Sequence, residues 1–156
     1  MTHLISFRPA ERRDIDAIGR LAEDADLFPS DLLGDMISPW FQGSAEDAWF
    51  VAVDTGDEPV GFAFCELERL TAGTWNMLAL AVHSRRRSQG LGAALVAHAE
   101  TALRGAGGRL LIVETLGTPA FEATRRFYRR VGYVEEARIR DFYEPGGDKI
   151  VFWKTL

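Results

Sequence analysis

Arg87-Ser88-Gln89-Gly90-Leu91-Gly92 lies between an apolar run, Trp75 to Val82, and a segment with helical spacing of its apolar residues. A phosphate oxygen can approach a main chain closely only where side chains are missing. Gly90 and Gly92 remove them, and a helix start presents N–H groups without intrahelical partners. The stretch is therefore predicted to be an anion cradle at a strand-to-helix turn, although two glycines there can also serve tight packing alone. Two nucleotide-binding alternatives fail on spacing. A Walker A loop needs Gly, four residues, then Gly-Lys-Ser/Thr, and no such run exists. A dinucleotide fingerprint needs a small residue where Leu95 stands and should follow the first strand of its domain.

The basic residues around this loop are unevenly placed. Arg85, Arg86 and Arg87 adjoin it, and Arg125, Arg126, Arg129 and Arg130 recur on a later helical segment. Such a cluster is either a solvated face or the positive surround of a phosphorylated ligand. Over the whole chain the balance is acidic, with 23 Asp and Glu against 18 Lys and Arg for a net charge of −5. That excludes general nucleic-acid binding, which requires a neutralising basic surface.

At 156 residues, 47% of them hydrophobic, residues 1–156 are expected to form one domain around one core. Cys65 is the sole cysteine, so no disulfide closes within the chain. His3, His83 and His98 show no ligand spacing, and no metal is expected. With no signal-peptide pattern and no apolar run near the ~20 residues that cross a bilayer, a soluble cytoplasmic protein without membrane partners is expected.

Working outward, Leu4, Ile5 and Phe7 predict a first strand stopped by Pro9. Glu11 to Glu23 carries Ile15, Ile18, Leu21 and Ala22 in helical rhythm. Ser30 is a candidate cap for a second helix holding Leu32, Leu33, Met36 and Ile37, which Pro39 should disturb. Trp49 to Val53 and Val60 to Leu67 read as a hairpin around Thr55-Gly56-Asp57. Trp75 to Val82 is almost continuously apolar, as expected of a central strand covered on both faces. After the loop, Leu91, Leu95, His98, Ala99, Ala102 and Leu103 share a helix face that Gly105, Gly107 and Gly108 end. Leu110 to Val113 is a second buried strand, parallel to the first if the two share a sheet. Thr118 with Pro119 opens a last helix and Gly132 closes it. Tyr133 to Tyr143 and Lys149 to Thr155 form a closing hairpin with Glu144 to Asp148 as a longer turn.

Two motifs in this order, the R-x-x-G-x-G loop preceded by Leu80-Ala81-Val82-His83 and the run Phe127-Tyr128-Arg129-Arg130-Val131-Gly132-Tyr133 some forty residues later, resemble the GNAT superfamily of acyl-CoA-dependent N-acetyltransferases. The resemblance spans nearly the whole chain. It implies an α+β fold, a GNAT-like acyl-CoA N-acyltransferase architecture with a mixed central sheet and flanking helices, and acetyl-CoA as cosubstrate without a metal. It implies further that Leu80, Ala81 and Val82 hold the pantetheine arm and that Arg87, Ser88, Gln89, Gly90, Leu91, Gly92 and Ala93 cradle the diphosphate. The strands holding Ala81 and Glu114 are then expected to splay into the thioester cleft. The family's common asparagine, seven residues before the tyrosine, is replaced here by Phe121, with Thr118 and Thr124 as candidate substitutes. A homodimer would suit this type of fold.

Transfer to an amine needs an uncharged nitrogen, a polarised carbonyl and help for the departing thiolate. Tyr128 resembles the family's general acid, though it shares a helix face with Phe121 and Thr124 and can equally pack against the sheet. Main-chain N–H groups at residues 80–82 are the candidate donors to the thioester oxygen. Because an amine of pKa near ~10.4 is mostly protonated at neutral pH, a carboxylate should assist. Glu114 is the first candidate, with capping of a strand end or pairing with an arginine as its alternative. Asp141 and Tyr143 are candidates for holding the acceptor, and Phe28, Trp40 and Phe41 for lining its site or filling the core. The expected reaction is acetyl transfer from acetyl-CoA to the primary amine of a small molecule in a ternary complex. The alternatives are a non-catalytic acyl-CoA-binding module and a protein N-acetyltransferase.

Overall fold

Period-two patterning along the strand Asp47–Val53 (β2) sorts the core into two layers: Trp49, Val51 and Val53 enter one, Phe50 and Ala52 the other. In the computed structural model, which describes residues 4–156, β2 is one of seven strands of a mixed sheet. The others are β1 (Ser6–Pro9), β3 (Pro59–Leu67), β4 (Thr74–Val82), β5 (Leu110–Leu116), β6 (Val134–Glu144) and β7 (Gly147–Thr155). Their order across the sheet is β1-β2-β3-β4-β5-β7-β6. Helices α1 (Ile15–Asp24) and α2 (Leu33–Phe41) cover β2 to β4 on one face, and α3 (Leu91–Gly105) and α4 (Glu122–Arg130) lie on the other. Both faces of β3 are thus dry, and Pro59 to Cys65 are buried without interruption. Trp49 and Phe62 are completely buried and stacked on one another, each burial contributing ~1.5–3 kcal/mol.

The strand-helix-strand path through α3 makes β4 and β5 parallel, pairing Thr74 with Leu110 through Met77 with Val113. Gly90, at φ 76°, sits at the N-cap of α3, a left-handed conformation that a side chain resists. At the end of α4, Gly132 has φ 99°, and the Tyr133 and Gly132 N–H groups return to Tyr128 O and Arg129 O. This left-handed closure satisfies the last carbonyls and aims Tyr133 back at the sheet.

Several local expectations change. The first strand starts at Ser6, after Leu4 and Ile5. Pro29, not Ser30, precedes a 3-10 turn that leads into α2, and the Ser30 N–H is taken by Glu23. Pro39 does not break α2, which runs on to Phe41. It falls in the final turn, where its missing N–H removes only one bond before the helix ends. Residues 144–148 are not a longer turn: Glu144 pairs with Gly147, leaving Pro145-Gly146 as the connection. A proline followed by a left-handed glycine (φ 80°) makes that tight reversal. Of the three histidines, His3 lies outside the described residues. His83 accepts the Arg85 N–H, and His98 packs on Phe7 and Phe50. Among the described residues, no group of three or more His, Cys, Asp or Glu is arranged to hold a metal ion, and no helix is long and apolar enough to cross a membrane.

Candidate functional site

Beyond Met77 and Val113 the ladder between β4 and β5 stops, although both strands continue. β4 stays with β3 as far as Gly61–Val82, and β5 stays with β7 as far as Leu116–Lys149. The local cause is a bulge: Cys65 faces Met77 but Phe64 faces Ala79, so Leu78 is an extra residue. A bulge bends its strand and increases its twist, turning the second half of β4 away from β5. Along that half, His83 N–H bonds Val60 O and Ala81 O crowds Gly61, so both groups face β3. By alternation, the N–H and C=O of Leu80 and Val82 point into the opening. They are ladder groups without a neighbouring strand.

At the end of β4 the opening widens into a cleft of about 510 Å3, lined by Val82, Arg86, Arg87, Ser88, Gly90, Leu91, Gly92, Ala93, Phe127 and Arg130. Among the described residues, the main-chain N–H groups of residues 87–93 bond to no other protein group. The start of α3 explains the last three, since helix geometry leaves them without a carbonyl to meet. Ser88 at φ 64° and Gly90 at φ 76° turn the chain twice through left-handed conformations just before it, giving a concave run of donors of the kind that binds anions. Arg86 and Arg87 are only loosely paired, to Asp54 at 3.8 Å and Asp24 at 3.6 Å, and Arg87 Nε also donates to Val82 O at 3.3 Å. Arg130 stands over Phe127, its guanidinium 5.8 Å from the ring centre.

The sequence-level candidates thus divide. Val82, Arg87, Ser88, Gly90, Leu91, Gly92 and Ala93 are brought together in the cleft, whereas Leu80, Ala81 and Gln89 do not line it. Leu80 is part of the opening, and Ala81 packs toward α1 and α2. Arg86, Phe127 and Arg130 are additions, the last two being neighbours of Tyr128 that border the anion cleft. The signal for the two arginines was the pair of basic clusters, beside the loop and on α4; Phe127 had none beyond its place in the motif.

Tyr128 is 6% exposed, packed among Phe127, Tyr133 and Phe152. Burial, with the neighbouring Cys65 adding to it, pushes its phenol well above the ordinary tyrosine range, so it stays protonated. Its hydroxyl makes no hydrogen bond to another described residue. Its ring is held by the next tyrosine: Tyr133 donates to Glu100 Oε2 at 2.8 Å, and Lys154 Nζ meets the same carboxylate at 3.0 Å. That buried network ties α3, the end of α4 and β7 into one support.

Glu114 lies inside β5, not beyond its end, and its Oε1 is 3.0 Å from Lys149 Nζ. Its partner is thus a lysine of the neighbouring strand, not an arginine. Lys149 in turn sits 4.1 Å from the centre of the Phe142 ring. Phe142 and Tyr143 stand out where the β6–β7 ladder breaks between Ile139 and Glu144. Tyr143 is raised above its ordinary pKa by burial and by the nearby Glu114. Asp141 serves this corner, its Oδ1 accepting the Gly146 N–H. Phe28, Trp40 and Phe41 belong to the packing around α2: Phe28 contacts Phe62, Trp40 donates to Ala10 O, and Arg12 covers Phe41. Phe121 is 38% exposed, and the link before it is clamped by Arg125, which donates to Leu116 O and Thr118 O at 2.7 and 2.8 Å. The Thr118 side chain makes no capping bond.

Residues 45–135 match the family model of the acetyltransferase (GNAT) domain. A crystal structure described as a GNAT-family acetyltransferase from Desulfovibrio desulfuricans superposes with a TM-score of 0.90 at 30% identity, covering 97% of this chain and 99% of that one. Two further solved structures share the fold at 20% identity. An aminoglycoside 6'-N-acetyltransferase complexed with coenzyme A has a TM-score of 0.79 over 96% of both chains. The ribosomal-protein-S18-alanine N-acetyltransferase of Escherichia coli has a TM-score of 0.76 over 97% of this chain and 94% of its own. Comparison with curated proteins finds no match. An interrupted β4–β5 ladder opening onto a main-chain anion cradle, in a chain that matches this family over more than half its length, has one reading: the chain belongs to the GNAT family and is an acetyl-CoA-dependent N-acetyltransferase.

Proposed function

We propose that residues 1–156 act as one catalytic unit in the cytoplasm, transferring acetyl from acetyl-CoA to the primary amine of a small molecule in a ternary complex. The observation that carries the cosubstrate half is the end of the β4–β5 ladder at Met77–Val113. An amide-containing arm laid in that opening meets the N–H and C=O of Leu80 and the N–H of Val82 as another strand would, and takes the place of the Arg87 guanidinium at Val82 O. The diphosphate then falls on residues 87–93, with Arg86 and Arg130 beside it. Main-chain donors already oriented at the bulge polarise the thioester carbonyl without reorganising as charge develops.

Nucleophilic attack by the amine on the carbonyl carbon forms the new C–N bond, and collapse of the tetrahedral intermediate breaks the C–S bond. Tyr128 supports the departing sulfur. A phenol starts at about 10 and a thiol at about 8.5, and burial widens that difference, so Tyr128 donates a hydrogen bond more readily than a proton. Glu114 first takes one proton from the bound ammonium, directly or through water, so that the neutral amine attacks; the second proton, lost by the nitrogen of the tetrahedral intermediate, passes through water to the departing thiolate, which leaves as free thiol. Lys149 occupies Oε1 and leaves Oε2 for that task.

The small-molecule acceptor is supported by the surroundings of Glu114. Lys149 pairs with its carboxylate and lies over the Phe142 ring, and Tyr143 is close enough to sense its charge, so an acceptor amine that reaches Glu114 passes exposed aromatic surface suited to an aliphatic stem. Release of free thiol from acetyl-CoA, measured across small amines and peptides, tests the reading. Acetylation of small amines is expected, and turnover confined to peptide N-termini would replace it with a protein acceptor.

A further inference from the structure

Glu100 is the one acidic residue of α3, and it is buried. Its Oε2 accepts the Tyr133 O–H at 2.8 Å, and Lys154 Nζ lies 3.1 Å from Oε1 and 3.0 Å from Oε2. Lys154 also donates to the carbonyl of Val131, the C-cap of α4, at 3.1 Å. Burial first, then the Glu100 charge, holds the Tyr133 phenol far above the ordinary tyrosine range, so it stays the donor. A buried ion pair of this kind adds little stability that well-packed apolar side chains would not match. Its effect here is on position.

The residue so positioned is Tyr128. Its hydroxyl has no hydrogen-bond partner among the described residues, so the packing of its ring alone aims it. Three aromatic neighbours hold that ring: Phe127 at 5.1 Å between centroids, Tyr133 at 5.8 Å and Phe152 at 5.9 Å. Tyr133 is the one among them that a side-chain hydrogen bond tethers in turn. The main chain adds a second tether, since the Tyr133 N–H returns to Tyr128 O at 2.9 Å around the left-handed Gly132. Both ends of the arrangement meet on α3. Residues 91–93 in its first turn border the anion cleft, and Glu100 stands roughly 12 Å beyond Gly92 along the axis, at ~1.5 Å per residue. One helix thus sets where the diphosphate is gripped and where Tyr128 stands.

Resting on the leaving-group role of Tyr128 proposed above, we infer that Tyr133 and Glu100 are positioning residues: their hydrogen bond holds the Tyr128 hydroxyl at the departing sulfur, in register with the cosubstrate gripped at the start of α3. Tyr133→Phe keeps the ring and removes only the bond to Glu100. Thiol release from acetyl-CoA with butylamine should then show kcat lowered roughly 10-fold with KM for acetyl-CoA unchanged, because a small displacement of an aligned group is costly in rate. The loss should not exceed that of Tyr128→Phe, since a misplaced hydroxyl does no worse than an absent one. In a Tyr128→Phe background, Tyr133→Phe should cost no further activity. Glu100→Gln, which keeps an acceptor for the Tyr133 O–H, should recover most of the kcat that Glu100→Ala loses. A folded Tyr133→Phe enzyme with wild-type kcat, or the same fractional loss in both backgrounds, would overturn the inference and leave the role of Tyr128 intact, whereas wild-type turnover in Tyr128→Phe would sink both. A measurement without an acceptor covers the case in which butylamine is not acetylated. The 13C NMR signal of the Tyr128 ring carbon that bears the hydroxyl should move when coenzyme A binds, and Tyr133→Phe should diminish that movement. An equal response in the two proteins would overturn the positioning role, and no response in the wild type would refute the contact between Tyr128 and sulfur itself.

Discussion

Replacing Tyr128 by Phe separates the chemical role of the hydroxyl from the packing role of the ring. The ring contacts Phe127, Tyr133 and Phe152, all of which phenylalanine preserves, and the hydroxyl has no protein partner among the described residues whose loss would be felt. Stability should therefore change by less than ~1 kcal/mol. The effect belongs to turnover. A hydrogen bond to a charged acceptor contributes about 1.5–3 kcal/mol, which at about 1.4 kcal/mol per decade is a loss of roughly 10- to 150-fold in kcat. Affinity for coenzyme A, which is held by main-chain groups some distance away, should not move. Because burial raises the phenol, wild-type activity should show no alkaline fall from Tyr128 ionisation below about pH 10. The assay is thiol release under saturating acetyl-CoA, paired with calorimetry for coenzyme A and a melting curve. Wild-type turnover in a folded Tyr128→Phe protein would refute the leaving-group role and leave Tyr128 a core residue.

Gly90→Val places a branched side chain at φ 76°, costing at least ~1–2 kcal/mol in stability and weakening coenzyme A tenfold or more by calorimetry. Gly92→Ala is the cleaner probe, since its φ is not left-handed and its Cβ would lie 3.5 Å from Phe127, an ordinary contact. Its melting temperature should hold while affinity falls, and normal affinity would remove the cradle assignment. Glu114→Gln should lower kcat/KM about 100-fold at pH 7, with recovery toward pH 10 as the acceptor amine loses its own proton; a uniform loss across that range would point to structure. Asp14 is 1% exposed. Burial alone would raise its pKa, but two hydrogen bonds from Arg8 at 2.7 and 2.9 Å and one from the Glu11 N–H leave it lowered. A depressed carboxyl stabilises the fold above its unfolded value and loses that contribution as pH falls through the folded value. Asp14→Asn should therefore cost ~3 kcal/mol at pH 7 in denaturant melts and less below about pH 3. An equal cost at both pH values would contradict the ion-pair account.

The elements that depend on local chemistry are legible in the sequence. Gly90 ahead of an apolar helix and Gly132 after the last one act within a few residues of themselves, so their placement survives folding unchanged, whereas Thr118 precedes a 3-10 turn at Pro119–Phe121 and makes no capping bond. The nearly continuous apolar run of Trp75 to Val82 likewise marks a central strand, and the crossover through α3 requires β4 and β5 to be parallel once they share a sheet. Where a local rule failed, a neighbour overruled it. Pro39 stays helical because the helix is ending anyway, and Pro145-Gly146 needs only two residues because Glu144 and Gly147 continue the ladder.

The sequence by itself determined the strands and helices, the glycine turn and the family motifs, because each is written in contiguous residues through steric limits and periodicity. Only the tertiary structure decided that the β4–β5 ladder ends at Met77, that Arg130 joins the cleft and that Glu114 meets Lys149. Those facts depend on strand register, and register is set by pairings between residues far apart in the chain: a one-residue shift such as the Leu78 bulge re-aims every side chain beyond it while leaving the local pattern of the sequence unaltered.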